Sequence, residues 1–297
     1  MQNLIRLFKF IKSHPLNNGR FLPAMSEFLR WQVACRLHNG DLVYNWIGPI
    51  RFFVRKGESG LTQNLYTGLC EFEEMGFLLH FLTPEDLFID AGANAGSYTL
   101  LASVVIGANV ISVEPCPDTY LRLTANIKLN TVGDKVAAEK VSLGSEEGSV
   151  KFSTDYGPMN HVLREGESSS RTVTVRQTTL DRIVGSESPS LIKIDVEGYE
   201  YELLRGASDT LNNQELNAVI LEMNSNQDYY GSSSVEIVNI MDDYGFRMFR
   251  YDPVIRTLSP YNIENIRKGN VLFIRNIEAV KALVSQANPF EMHGKKY

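Results

Sequence analysis

The run Lys193-Ile194-Asp195-Val196-Glu197-Gly198-Tyr199 sets two carboxylates two residues apart, where an apolar stretch gives way to a glycine turn. Carboxylates so close are costly unless they are paired or used. They suit accepting a proton from a hydroxyl nucleophile or orienting that hydroxyl. The structural alternative has Asp195 capping the following helix and Glu197 bonded to Lys193 or Arg205. Glu222, which ends another apolar run with Asn224 beside it, is a further candidate base. His161, in Gly157-Pro158-Met159-Asn160-His161, falls in a loop of the same half and has the intrinsic pKa of a base near neutrality. A solvated loop side chain is the alternative for it. His14, His38 and His293 lie in terminal segments and His80 in an apolar helix, so these four read as structural. Asp195, Glu197 and Glu222 could meet at one point, which leaves a metal site open as an alternative. No HxH or DxD grouping supports one, and no required ion is expected.

A second set of residues has the chemistry of a nucleotide loop. Phe88-Ile89-Asp90-Ala91-Gly92-Ala93-Asn94-Ala95-Gly96-Ser97-Tyr98-Thr99 reads as a strand that ends in an acid and turns through small residues into a helix. Small residues let backbone approach a ligand closely, and a helix N-terminus brings free N–H groups to the crevice beyond the strand. Gly92-x-Asn94-x-Gly96 lacks the GxGxxG of a pyrophosphate-binding loop. Glu114 ends the next apolar run, 22 residues after Gly92. A carboxylate there can accept from both hydroxyls of a ribose, which distinguishes a nucleoside from a bare phosphate; capping the helix that begins at Pro117 is its structural alternative.

These residues need a scaffold, and the pattern from about residue 70 supplies one. Continuous apolar runs alternate with helical periodicity, as in strands buried on both faces of a parallel sheet. Leu87–Asp90, Asn109–Glu114, Val136–Ser142, Leu191–Asp195, Ala218–Glu222, Phe246–Tyr251 and Val271–Ile274 predict seven strands, the last two pairing antiparallel at one edge. Helices are expected over Ser97–Ile106, Asp118–Leu129, Tyr199–Arg205 and Val235–Tyr244. A β-rich insertion at about 145–178 interrupts them, with strands at Ser149–Ser153 and Thr172–Val175. Its Asp155, Tyr156, Asn160, His161 and Arg164 suit recognition of a polar acceptor. Residues 1–60 read as an N-terminal cap in front of a domain of residues 61–297. The cap holds a basic amphipathic helix, a second helix whose apolar face runs through Met25, Phe28, Leu29, Trp31 and Val33, and the β pair Leu42–Trp46 and Ile50–Val54.

Four segments, IDAGANAGSYT, SVEPCPDTYLRLTANIKLN, LIKIDVEGYEYELLRGA and VILEMN, resemble in order the motifs of the FkbM family of S-adenosylmethionine-dependent methyltransferases. The likeness covers roughly residues 66–275, from Tyr66-Thr67-Gly68 and Glu71 to Gly269-Asn270. It implies an α/β, Rossmann-like class I methyltransferase sheet with helices on both faces and the last strand antiparallel. It also implies O-methylation, often of sugars or other hydroxylated molecules. By this resemblance Asp90, Gly92, Ala93, Asn94 and Gly96, with Thr99 closing the run, would line S-adenosylmethionine, Glu114 would hold its ribose and Ser142 its adenine edge. The family often has Val at Ala91 and Ile at Ala95, and both changes here are to smaller residues. The transfer is an in-line displacement, which needs the acceptor oxygen about 3–3.5 Å from the methyl carbon and a base for its proton.

Two other classes compete. An NAD-dependent oxidoreductase or epimerase would use the same loop and Glu114, but GxGxxG and a Tyr-x-x-x-Lys pair are missing. A non-catalytic cofactor-binding protein would keep the loop and lose the acceptor pocket. Composition narrows the partners: 43% hydrophobic and 22% charged residues are ordinary for a globular chain, and a net charge of −6 opposes nucleic-acid binding. Cys35, Cys70 and Cys116, without a CxxC, read as three buried apolar residues in a reducing cytoplasm. The basic helix of residues 1–12 suits a weak membrane-surface contact or a contact with a second subunit.

Overall fold

The computed structural model describes every residue except 1, 39, 57–58, 165, 224–229, 232 and 266–268. Asn224 lies outside the described residues. The order is α1 (Gln2–Ser13), α2 (Phe21–Leu37), β1 (Leu42–Asn45), β2 (Arg51–Val54), α3 (Ser59–Thr62), α4 (Asn64–Thr67), α5 (Phe72–Phe81), β3 (Leu87–Ala91), α6 (Ser97–Leu100), β4 (Asn109–Val113), α7 (Pro117–Leu129) and β5 (Val136–Glu139). There follow β6 (Ser142–Leu143), β7 (Gly148–Ser153), β8 (Thr172–Thr178), α8 (Leu180–Val184), β9 (Leu191–Ile194), α9 (Glu200–Arg205), α10 (Ser208–Asn212) and β10 (Ala218–Met223). The chain continues through α11 (Ser234–Asp243), β11 (Arg247–Asp252), β12 (Thr257–Pro260), β13 (Gly269–Ile274), α12 (Ile277–Gln286), β14 (Glu291–Met292) and β15 (Lys295–Lys296).

The main sheet runs β12-β11-β13-β10-β9-β3-β4-β5. The pairs among β10, β9, β3, β4 and β5 are parallel, and β13 is antiparallel to both β10 and β11. The Rossmann-like α/β arrangement is therefore present, with two differences from expectation. The sheet has eight strands, because β12 closes a hairpin on β11 and takes the edge, while β13 inserts between β10 and β11. The third parallel strand stops at Glu139, and Ser142 belongs to a separate three-stranded sheet, β6-β8-β7. That small sheet has its own core of Phe152, Val162 and Val175 against Cys116.

Alternation along each central strand serves two cores. Phe88, Val110, Leu191, Ile220 and Leu272 point to one face, beside α5, α7, α12 and the N-terminal elements. Ile89, Val113, Ile192, Val219 and Phe273 point to the other, beneath α8 to α11. Burial on both faces is why these strands read as unbroken apolar runs. The first core is continuous from Ile11, Trp31 and Phe52 to the sheet, so residues 1–60 share it with the strands. On α2, Ala24, Phe28, Trp31 and Cys35 pack inward, with the Phe28 ring 5.5 Å from Tyr66. Leu29 and Val33, expected on that packed face, instead point to solvent. Trp46 donates its indole N–H to Gly68 O. Cys116 is buried, whereas Cys35 and Cys70 are half-buried rather than enclosed, and all three are free thiols. Among the described residues no helix is long and apolar enough to cross a membrane.

The open edge of β2 is covered by side chains of α7 and of Asn130, which caps its C-terminus. Asn130 Oδ1 accepts from Arg51 N at 2.9 Å while its Nδ2 donates to Arg51 O at 2.6 Å. One turn earlier, buried Asn126 accepts from Phe53 N at 2.8 Å and donates to Ala95 O at 2.8 Å. Asparagines four apart on one helix face thus stand in for a partner strand.

Candidate active site

The carboxyl ends of β3, β4, β9 and β10 open on a cavity of about 290 Å³. This is where an open α/β sheet places its ligand. One side is the loop after β3. Gly92 N and Ala93 N both donate to Val113 O at 2.9 Å, which folds the loop back on β4. Gly92 has φ +84°, and a Cβ there would stand 1.8 Å from Asp195 O, so the loop and the β9 terminus touch backbone to backbone. Only glycine satisfies both conditions. Asn94 also takes a positive φ, 49°, and its Oδ1 accepts from Ala95 N at 2.7 Å, a local bond that asparagine can make in that conformation.

Glu114 lies across this loop. Its two oxygens accept from Asn94 N at 3.0 Å and Cys116 N at 2.8 Å. Burial nevertheless pushes its carboxyl up to about 7, with those amides opposing. Asp90 is buried under the loop, where Thr99 donates to it from N at 2.9 Å and from Oγ1 at 2.6 Å. Burial raises the Asp90 pKa, while the charge of Lys193 and the Thr99 bonds lower it. Asp90, Gly92, Ala93, Asn94, Glu114 and Ser142 all line the cavity, Ser142 between Val141 and Leu143. Thr99 stands behind the lining as the partner of Asp90, and Gly96 forms the left-handed entry to α6 at φ +96°.

The facing side is acidic. Ligand-capable oxygens of Asp195, Glu197 and Glu222 all lie within 4.8 Å of one another. The β9 turn that carries the first two is fixed by buried Glu200, whose Oε1 accepts from Val196 N at 3.2 Å and Gly198 N at 3.0 Å. Glu197 itself is held at φ +54°, a strained position for a side-chain-bearing residue. Burial first, then the charges of Asp195, Glu197 and Glu200, push the Glu222 carboxyl up to about 9 against the pull of Lys193. Lys193 Nζ is 2.6 Å from Asp195 Oδ2 and 4.9 Å from the centre of the Tyr98 ring, whose hydroxyl donates to Glu71 Oε2 at 2.6 Å. Burial disfavours the ammonium, but Asp195, Glu71 and Asp90 hold its pKa above the usual lysine range.

His161 does not line the cavity. Its Nε2 is 3.1 Å from Glu167 Oε1 and its Nδ1 is 2.9 Å from Met159 O. Arg164 shares Glu167, and Asp155 is bound by Ser169 and Ser170, so of the five insertion residues with acceptor-binding chemistry Asn160 alone lies in the cavity lining. Sequence reasoning gave no site role to Lys193 or Tyr98 and quoted Glu71 for its motif alone. Lys193 carried a signal: a lysine inside the buried run Leu191–Ile194 must have a carboxylate partner. Tyr98 and Glu71 meet it through tertiary packing that spacing does not show.

A mostly parallel sheet, a glycine loop clasping an acid on the next strand, and a carboxylate cluster across the crevice make a Rossmann-like fold whose cavity lies at the carboxyl ends of its parallel strands. The model of the methyltransferase FkbM domain matches residues 90–248, more than half of the chain, and the chain belongs to that family. Hexuronic acid methyltransferase AglP of Haloferax volcanii is 31% identical over 154 residues, 51% of this chain and 61% of that protein. Methyltransferase 1 of Beauveria bassiana is 29% identical, the match covering 42% of this chain and 60% of its own. The matched segment thus spans about three-fifths of each curated relative. The crystal structure of methyltransferase FkbM from Methylobacillus flagellatus KT aligns with 14% identity and a TM-score of 0.45, covering 73% of this chain and 55% of that one.

Proposed function

We propose that this protein transfers a methyl group from S-adenosylmethionine to a hydroxyl of a sugar, glycan precursor or other small polar metabolite, in the cytoplasm. The observation that carries the reading is the juxtaposition, across one cavity, of the Gly92 loop with Glu114 and the Asp195–Glu197–Glu222 cluster. The cofactor fits the first side. Glu114 would offer its buried carboxylate to the ribose hydroxyls and Ser142, between apolar neighbours, would lie at the adenine edge, while Asp90, Gly92, Ala93 and Asn94 line the same cavity. Gly96 and Thr99 shape this wall from behind, and the cofactor, when bound, supplies an electrophilic methyl group.

The protein's own residues handle the proton. Asp195 or Glu197 would take the proton of the acceptor hydroxyl as its oxygen receives the methyl group, with S-adenosylhomocysteine as the leaving group. Lys193 holds the Asp195 carboxylate in place. Glu222, with its raised pKa, remains protonated at neutral pH and donates a hydrogen bond to the acceptor instead of taking its proton. His161 is the weaker candidate, because it stands outside the cavity lining with its ring nitrogens engaged by Glu167 and Met159 O. The 31% identity to a hexuronic acid methyltransferase favours a sugar-type acceptor.

Thermal unfolding with S-adenosylhomocysteine and, separately, with NAD tests the cofactor. A ligand at 100 times its dissociation constant stabilises by about 2.7 kcal/mol. A rise with the first alone is expected, and a rise with NAD alone would overturn the proposal. Asp195→Asn and Glu197→Gln should keep that rise while turnover falls by about 10²–10⁴ for whichever is the base. Full turnover in both would remove them from the chemistry, whereas loss in His161→Ala alone would return the proton to the insertion.

A further inference from the structure

α2 is apolar on two sides. Its inner row is covered by the protein's own core, but Leu22, Leu29, Val33 and Leu37 form a second row at spacings of seven, four and four, and they are 78%, 56%, 57% and 75% exposed. Such spacing puts all four on one face of the helix. α1 extends this surface: its Phe8 ring packs edge-on at 5.0 Å against Phe21, and Phe8 remains 45% exposed. Scattered apolar residues on a surface mean little, whereas a continuous row does.

Charge identifies what covers it. Residues 1–38 carry Arg6, Lys9, Lys12, Arg20, Arg30 and Arg36 against Glu27, a net +5, while the rest of the chain carries −11. Glu27 is tied to Arg20 at 2.8 Å. Lys9 and Lys12 flank the exposed face of α1, and Arg30 and Arg36 flank the row on α2. A second copy docked through the same face would oppose two +5 surfaces, and a nucleic acid offers nothing to four aliphatic side chains.

We infer that the α1–α2 face docks on an anionic lipid surface, with the aliphatic row entering the headgroup boundary and the basic residues meeting lipid phosphates. Unlike a spanning anchor, this contact is reversible and sensitive to ionic strength. It stands independently of the methyl-transfer reading.

Co-sedimentation of the whole chain with vesicles of phosphatidylcholine, or of phosphatidylcholine with one third phosphatidylglycerol, tests it. Binding to the anionic vesicles alone, falling as salt rises, is expected. At about 1 kcal/mol, or roughly fivefold, per basic residue near such a surface, Arg30→Glu with Arg36→Glu should weaken binding by at least about 20-fold. Leu29→Asp with Leu37→Asp should abolish it, and because these positions are exposed the thermal midpoint should not move. Equal binding to both vesicles, no binding to either, or binding intact in the aspartate variant would overturn the inference. A dimer in gel filtration that the aspartate variant dissociates, with no vesicle binding by the parent chain, would overturn it in favour of a second copy.

Discussion

Single atoms decide much of this site. The Gly92 Cα faces Asp195 O so closely that a methyl group cannot enter, hence Gly92→Ala must push apart the β3 loop and the β9 turn. The expected outcome is a folded protein whose affinity for S-adenosylhomocysteine, measured by calorimetry, falls at least about 100-fold, since both walls shift together. Unchanged affinity would show that the loop has slack. Glu222 makes a different forecast. Its folded pKa of about 9 lies above the ordinary 4.5, so between those values the folded chain holds a proton that the unfolded chain has lost. Ionisation there destabilises the fold increasingly as pH rises. Glu222→Gln should therefore be more stable than the parent at pH 8, by on the order of 1 kcal/mol or more, with the gap closing towards pH 5. Denaturant unfolding at the two pH values reads this directly.

Elements were legible in the sequence to the degree that burial repeats along them. β3, β4, β9 and β10 are enclosed on both faces, so their apolar runs announced themselves, and Gly92, Asp195 and Glu222 followed as residues at strand ends. β12 was hidden because Thr257–Pro260 is a short, mostly exposed edge strand with no apolar pattern. The convergence of Glu222 on Asp195 needed the parallel β9–β10 register, and the displacement of His161 needed the path of the insertion, neither of which spacing encodes. Leu29 and Val33 misled for the opposite reason, since an exposed apolar row has the same period as a buried one. At this scale Asn126 is the informative substitution. Asn126→Ala would strand the half-buried Phe53 N–H and the buried Ala95 carbonyl, a cost of about 2–4 kcal/mol. Hydrogen exchange should accelerate at Phe53 and in the 92–96 loop together. Acceleration confined to β2 would mean that α7 does not couple them.

For the molecule as a whole, the buried acids act in one direction. Burial lifts Glu74 to about 8, Glu114 and Glu200 to about 7 and Glu222 to about 9, so the folded chain keeps protons that the unfolded chain releases near 4.5. Glu167, held down at about 2, has its full effect above the unfolded value and changes nothing at higher pH. His80 and His293, lowered to about 4, cease to matter above about 6.5. Stability should fall steadily from about pH 6.5 to 9, seen as a declining calorimetric midpoint, and a rising one would contradict these burial effects. The shared core of residues 1–60 and the sheet has an optical consequence. Both tryptophans, Trp31 and Trp46, belong to that N-terminal segment, whereas the tyrosines are spread along the chain. Indole emission therefore watches the docking of the segment, and far-ultraviolet dichroism watches the sheet and its helices. One common melting curve would make the chain a single cooperative body, and an earlier indole transition would divide it near residue 60.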